Sequence, residues 1–365
     1  MLLRLAVWLI LALVVSRVGL IIYGLGYHKT IYKHYPGPCR VVPGVETGSE
    51  DIAVTSNGLA LISSGVRVKG FAIHPARTPP ILKGKIFLFD FNHPEKNLVE
   101  VPLKGSIDAA SFYPHGLSLY EDPKTGEKRL FVVNHHLSDQ DRVEIFRFDE
   151  KSTSLHHLKT VTGETMYSLN DVVAVGPETF YFTNDLYYVT KFAKYYEVLA
   201  GLSFGTVGFY DGQDRIVADG FKMSNGINKS PDGRYVYVAA ALDEKLTVFE
   251  RKDDGSLEEI QRIDVCSGLD NIEVDKKSGD LWLGCHPVSH MFMEHTENFT
   301  KPAGSQVLRV QLESKSAPYA RVDIREVLMD DGSLVSGSSV ASYYDNKLLV
   351  GTVFDKLAYC EIKAI

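Results

Sequence analysis

The sequence predicts an all-β protein, a six-bladed β-propeller carrying an N-terminal hydrophobic helix. Three observations point there: a turn-and-strand unit that recurs six times, polar residues held in one phase of every unit, and a composition rich in strand-forming residues. The chain has 365 residues, 45% hydrophobic and 23% charged, with 19 Tyr and 18 Phe. That is enough apolar and aromatic material for a large core. The net charge of −7 argues against nucleic acid as a partner, since nothing balances phosphate repulsion, and it is compatible with bound cations.

Each unit opens its second strand directly after a turn. Ser56-Asn57-Gly58 precedes the run 59–62, Pro123-Lys124-Thr125-Gly126 precedes 130–133, and Gly176-Pro177-Glu178 precedes 180–182. Pro231-Asp232-Gly233 precedes 235–238, Lys277-Ser278-Gly279 precedes 281–283, and Asp345-Asn346-Lys347 precedes 348–350. A spacing of about 45 to 70 residues is the scale of propeller blades. Before each turn lies another short strand, completing a hairpin.

Where that earlier strand begins, a polar pair recurs: Glu50-Asp51, His115-Gly116, Asn170-Asp171, Asn225-Gly226, Asp270-Asn271 and Ser338-Ser339. One such pair alone reads as a turn. Six in the same phase, on strands that line a propeller's central channel, converge on one axis. Glu50 and Asp270 supply charge there, and Asn170, Asn225 and Asn271 supply neutral carbonyl oxygens. Such a set suits calcium better than zinc or copper. Asp51 and Asp171, next in chain to two of these residues, point the other way along the strand and can serve a second, deeper ion.

At the N-terminus residues 5–15 are continuously apolar, Ser16 and Arg17 interrupt, and residues 18–23 resume. Residues 1–25 read as a signal anchor or uncleaved signal peptide, with a cleaved signal and a buried helix as alternatives. Arg17 at mid-depth would cost ~2.5–3.5 kcal/mol. Residues 26–38 form a linker and 39–365 the propeller. The body of the protein is expected in the secretory pathway, membrane-anchored on the luminal or extracellular side, or secreted. The sequons at Asn298 and, weakened by Pro231, at Asn228 agree with that compartment. Pairing Cys39 with Cys360 would tie the two chain ends, leaving Cys266 and Cys285 as free core thiols.

Several strings carry a family resemblance. They include Gly44-Val45-Glu46-Thr47-Gly48-Ser49-Glu50-Asp51, Pro114-His115-Gly116, Val132-Val133-Asn134-His135 and Leu169-Asn170-Asp171-Val172-Val173-Ala174-Val175-Gly176-Pro177-Glu178. Asn225-Gly226-Ile227-Asn228, Asp270-Asn271-Ile272, Leu281-Trp282-Leu283-Gly284-Cys285-His286-Pro287 and Gly351-Thr352-Val353-Phe354 continue the series. From Cys39 to Glu361 the chain resembles the serum paraoxonases and arylesterases. The resemblance implies a propeller with two calcium ions in its tunnel. The catalytic ion would be held by Glu50, Asn170, Asn225, Asp270 and Asn271, the structural one by Asp51, Asp171 and the Leu117 carbonyl. It also implies a Cys39–Cys360 disulfide, an unpaired Cys285 and a retained N-terminal segment. Its activity would be hydrolysis of aryl esters and lactones, with His115 as the base that activates water and His135 orienting it or relaying its proton; a rival assignment makes Asp270 or Glu50 the base or nucleophile.

The chain departs from that pattern in three places: Leu186 follows Asn184-Asp185 where the family has histidine, Val68 (between Arg67 and Lys69) stands for an aromatic residue, and Met223 replaces an aromatic pocket residue. Val189, Phe192, Tyr196 and Leu199 recur at helical spacing in a predicted 187–200 helix, with Lys191 and Lys194 facing elsewhere. In the family the corresponding helix contacts lipid, which would bring lipophilic esters and lactones to the site. Two rival readings are a membrane-tethered, non-catalytic propeller acting as a binding or chaperone-like accessory protein, and a sugar-lactone hydrolase with a single metal. The intact ligand set opposes the first, and the paired Glu50-Asp51 and Asn170-Asp171 oppose the second.

Overall fold

A computed structural model describes residues 2–68, 78–79, 81–138, 140–313, 317–319 and 321–363. Among these residues six sheets form the blades, numbered here in chain order by their inner strands: Ile52–Val54, Pro114–Glu121, Leu169–Ala174, Ser224–Lys229, Gly268–Val274 and Ser338–Tyr344. Each inner strand contacts the next, and the sixth contacts the first, so the ring closes. The predicted turns fall where expected, directly before second strands that start at Leu59, Lys128, Phe180, Tyr235, Leu281 and Lys347.

The second strands are buried on both sides because a separate apolar cluster fills each cleft between neighbouring blades. Alternate residues serve alternate clefts. In the strand Phe180–Asn184, Phe180 and Phe182 pack toward the second blade while Tyr181 packs toward the fourth. In the strand Tyr235–Ala240, Val236 and Val238 face the third blade while Tyr235 and Tyr237 face the fifth. Continuous apolar runs therefore coexist with period-2 packing.

The sixth blade takes its outer strand from the start of the propeller: Cys39–Val42 pairs antiparallel with Leu357–Glu361. In that register Cys39 lies opposite Cys360, and the two form a disulfide across a separation of 321 residues. Cys285 is buried and free, whereas Cys266 is free but exposed, so it is not the core thiol expected. Cys266 sits in a bend between strands, with φ 59°.

Among the described residues three α-helices complete the fold: α1 (Leu2–Gly24), α2 (Lys191–Ala200) and α3 (Ser289–Glu297). By length and composition α1 is able to cross a membrane, and none of its apolar span is buried in the protein. Arg17 donates to the Leu199 carbonyl at the C-terminal end of α2 at 3.0 Å, a favourable place for a cation. After α1 the chain is strapped to the propeller. Lys29 Nζ reaches Glu244 Oε1 at 2.5 Å and the Cys266 carbonyl at 3.0 Å. His34 and Met329 exchange backbone hydrogen bonds, and Tyr35 donates to Asp330 at 2.5 Å.

Candidate active site and metal centre

The polar pairs reach the axis through a repeated irregularity. In the second to sixth inner strands the pairing register shifts across the pair: between Pro114 and Leu117, Leu169 and Val172, Ser224 and Ile227, Leu269 and Ile272, and Ser338 and Val340. A bulge of this kind releases residues from the ladder and re-aims their side chains. The glycines of the His115-Gly116 and Asn225-Gly226 pairs let adjacent strands approach. A Cβ on Gly116 would lie 2.5 Å from the Asp171 Cα, and one on Gly226 would lie 2.6 Å from the Asn271 Cα.

Glu50, Asn170, Asn225, Asp270 and Asn271 are all buried at the heads of inner strands that contact one another around the ring. Asn271 Nδ2 donates to Glu50 Oε1 at 2.8 Å and to the Glu50 carbonyl at 3.0 Å, and Ser339 Oγ holds that carbonyl at 2.6 Å. Glu50 Oε2 and the Oδ1 atoms of Asn170, Asn225 and Asn271 are buried and receive no hydrogen bond among the described residues. Four orphaned oxygens in one place are costly unless a cation satisfies them. Among the described residues no three His, Cys, Asp or Glu side chains are poised to hold a metal by themselves. The donor set therefore depends on asparagine carbonyls, and an oxygen-only set fits a hard cation such as calcium.

Below them, Asp51 accepts from the Ile52 and Leu117 amides at 2.8 and 2.6 Å. Asp171 accepts from the Val172 and Ile227 amides at 2.7 Å each. Each carboxylate thus ties its own blade to an inner strand of another. Burial, joined by the charge of Glu50, pushes the Asp51 carboxyl up to about 8. Burial also raises Asp171, with the Asp51 charge adding to it, and raises Asp270. So much uncompensated acid on one axis again fits cation binding.

The two predicted histidines meet. His115 Nδ1 lies 2.8 Å from His135 Nε2, His135 Nδ1 lies 2.9 Å from Asp141 Oδ1, and Asp141 Oδ2 accepts the Leu169 amide at 3.1 Å. The other His115 nitrogen lies 3.4 Å from Glu50 Oε1. Burial alone would lower the His115 pKa, but the Glu50, Asp270 and Asp185 carboxylates outweigh it and lift it to about 9. His115 and His135 open onto a cavity of about 530 Å³ whose described lining includes Arg67, Val68, Asp185 and Lys194. Val68 is thus in the wall as expected, and Met223, half-buried at φ 63°, is not among the lining residues. Lys69 lies outside the described residues.

Two participants escaped the sequence reading. Asp141 is the register partner of His135 across a hairpin, a signal readable as a His and an Asp six residues apart on facing strands. His286 ends a strand beside the fifth polar pair; its Nε2 lies 2.8 Å from Asp270 Oδ2 and its ring stacks on Phe292 at 3.8 Å.

The other expectations distribute as follows. The helix α2 begins at Lys191, later than the expected 187, because the backbone is still extended at Thr190. Of its predicted apolar set, Val189 lies ahead of the helix, and Phe192, Tyr196 and Leu199 face outward, while Lys194 and Glu197 are buried. Asn298 is exposed at the end of α3. Asn228 lies on an inner strand, where its amide donates to the Ile272 carbonyl at 2.7 Å and it lines the lower tunnel mouth.

Residues 31–362 match the arylesterase family model. The chain belongs to the arylesterase family. Membership places it among the carboxylic ester hydrolases. It is 42% identical to serum paraoxonase/arylesterase 1 of Homo sapiens over 327 residues, covering 89% of this chain and 88% of that protein. To serum paraoxonase/arylesterase 2 of Gallus gallus it is 40% identical over 326 residues, with the same coverage. Among solved structures, a luciferin-regenerating enzyme (TM-score 0.53, 10% identity, 88% of this chain and 94% of that one) and a putative gluconolactonase (TM-score 0.51, 15% identity, 92% and 98%) share the fold alone.

Proposed function

We propose that this arylesterase-family protein hydrolyses aryl esters and lactones at the upper mouth of the tunnel in a calcium-dependent reaction. The observation that carries the reading is the set of orphaned oxygens of Glu50, Asn170, Asn225 and Asn271 within reach of the His115–His135 pair. Those residues and Asp270 would hold a catalytic calcium, and Asp51, Asp171 and Leu117 a structural one. When bound, the upper ion supplies Lewis acidity toward the ester carbonyl. With the Glu50 and Asp270 charge that raises its pKa neutralised by a bound cation, His115 would be free to take the proton of the attacking water at Nε2. His135 receives the proton shared at His115 Nδ1, and Asp141 fixes the His135 ring and its tautomer. His286 and Phe292 orient Asp270 from the side. The likeness to the serum paraoxonase/arylesterases supports the substrate class, and α1 supports residence on a membrane of the secretory pathway. The outward apolar face of α2 supports contact with lipid, and Asn298 is the sequon open to modification.

The experiment is hydrolysis of phenyl acetate and a lipophilic δ-lactone, with calcium and after chelation, by wild type, His115→Gln and Asp141→Asn. Turnover should vanish on chelation, and kcat should fall about 10²-fold or more for His115→Gln and less steeply for Asp141→Asn. Turnover that survives chelation, or is untouched in His115→Gln, would remove this site from the mechanism.

A further inference from the structure

The lower end of the tunnel opens into a cavity of about 280 Å³ that the hydrolytic reading does not use. Its wall reaches Leu117, and also Ala53 and Val173, which stand two residues beyond Asp51 and Asp171 along the same inner segments. The deep acidic pair therefore lies just inside this mouth. From above it is screened. Glu50, Asn170, Asn225, Asp270 and Asn271 are each at most 5% exposed, and the described lining of the upper cavity includes neither Asp51 nor Asp171. An ion held by that upper set would itself repel a second one passing.

Two side chains of unlike chemistry line the lower passage. Glu273 sits on the fifth inner strand, two residues past Asn271, partly buried and within the field of Asp51. Its carboxyl takes a long hydrogen bond of 3.4 Å from Asn228 Nδ2, and among the described residues no basic side chain pairs with it. Burial and the Asp51 charge both oppose its ionisation, which a divalent cation alongside would favour. Lys229, on the fourth inner strand, donates to the Ala174 carbonyl, a neutral acceptor, and among the described residues no carboxylate pairs with it. The lysine beside them is already spent: Lys276 lies 3.3 Å from Glu121 and donates to the Val54 carbonyl at 2.9 Å. In a narrow, low-dielectric passage a charge without an opposite partner acts strongly on a passing divalent ion.

We propose that the lower mouth is the port through which the deep calcium enters and leaves, with Glu273 drawing the ion through and Lys229 holding it back. This rests on the reading of Asp51, Asp171 and Leu117 as the holders of that ion. The Glu273 carboxyl offers oxygen to an ion in transit and the Lys229 ammonium repels it, so the two set the exchange rate in opposite directions. Neither residue touches the substrate or completes a calcium site.

The test follows exchange on the full-length holoenzyme, loaded with radioactive calcium and diluted into excess unlabelled calcium. Wild type should release two ions per chain, the upper one fast and the deep one slowly. In Lys229→Met the slow phase should quicken at least about fivefold, and in Glu273→Gln it should slow at least about threefold. Lys229→Arg should stay close to the wild-type rate. Loosened blades would also speed loss in Lys229→Met, but they would lower the unfolding midpoint, whereas removing a buried charge raises it. Slow phases within twofold of wild type in both variants, faster exchange in both, or faster exchange together with a lowered midpoint in Lys229→Met would overturn the port. Fewer than two labelled ions per chain in the wild type would instead overturn the reading of the deep site itself.

Discussion

At the scale of single residues, the tunnel separates two ways of using acid. The upper group mixes two carboxylates with three carboxamides, so a divalent ion there would be matched in charge and neutral oxygens would complete its shell. The lower pair, Asp51 and Asp171, binds backbone amides of neighbouring inner strands and so doubles as a staple between blades. At the opposite mouth Lys229 donates to the Ala174 carbonyl, with the Asn228, Glu273 and Lys276 side chains lining the same cavity. Burial first, then the like charges of Arg251 and Lys276, lowers its pKa to about 8. The unfolded chain therefore holds this proton more tightly, and folding is opposed by it at all pH values below about 8. Between about 8 and the ordinary lysine value near 10.4 the folded state loses its proton first, and the opposition fades. Lys229→Met should accordingly raise the unfolding midpoint at pH 7, with a gain that shrinks between pH 8 and 10. Thermal denaturation across that range checks it; a gain constant with pH would contradict the assignment.

At the scale of elements, α2 inverts the usual amphipathic rule. Its charged residues Lys194 and Glu197 point into the protein, and Phe192 is 91% and Tyr196 62% exposed. Burying a phenyl ring is worth ~1.5–3 kcal/mol, so this face is costly in water and favourable in lipid. Arg17 joins α1 to the end of the same helix, which places the apolar helix and the apolar face on one side of the molecule. Phe192→Asp should cut turnover of a lactone dissolved in phospholipid vesicles about tenfold, with phenyl acetate turnover in detergent unchanged. Equal turnover in vesicles would show that the outward face serves something other than lipid.

At the scale of the whole molecule, a ring of blades must be closed against its own opening. Each inter-blade cleft has its apolar cluster, and the last blade borrows the strand Cys39–Val42 from the start of the propeller. The disulfide locks that seam, and in the chain-entropy picture a loop of 321 residues stabilises by up to ~6 kcal/mol. Reduction, or Cys39→Ser with Cys360→Ser, should lower stability by about 2–5 kcal/mol, read in chemical denaturation. An unchanged midpoint would mean that the strand alone closes the ring. The strap at residues 26–38 also packs on the propeller, through Lys29, His34 and Tyr35, so α1 is held close to the body.

Much of this protein was legible in its residues. Turns at fixed offsets, strands that follow them and polar pairs in constant phase are local properties, and they determined the number of blades, the inner strands and the identity of Glu50, Asp51, Asn170, Asp171, Asn225, Asp270 and Asn271 as neighbours on one axis. Cyclic repetition converts sequence phase into spatial convergence, which is why a linear pattern sufficed. Tertiary structure alone decided what depends on non-repeating contacts. The bulges in five of the inner strands, the register that sets Asp141 against His135, and the approach of His286 to Asp270 lie between strands rather than along them. Helical spacing marked α2 but left the direction of its apolar face undecided, because periodicity identifies a face without naming its partner; the propeller surface beneath α2 is polar at Ser168 and Asp185, and so it took the side carrying Lys194.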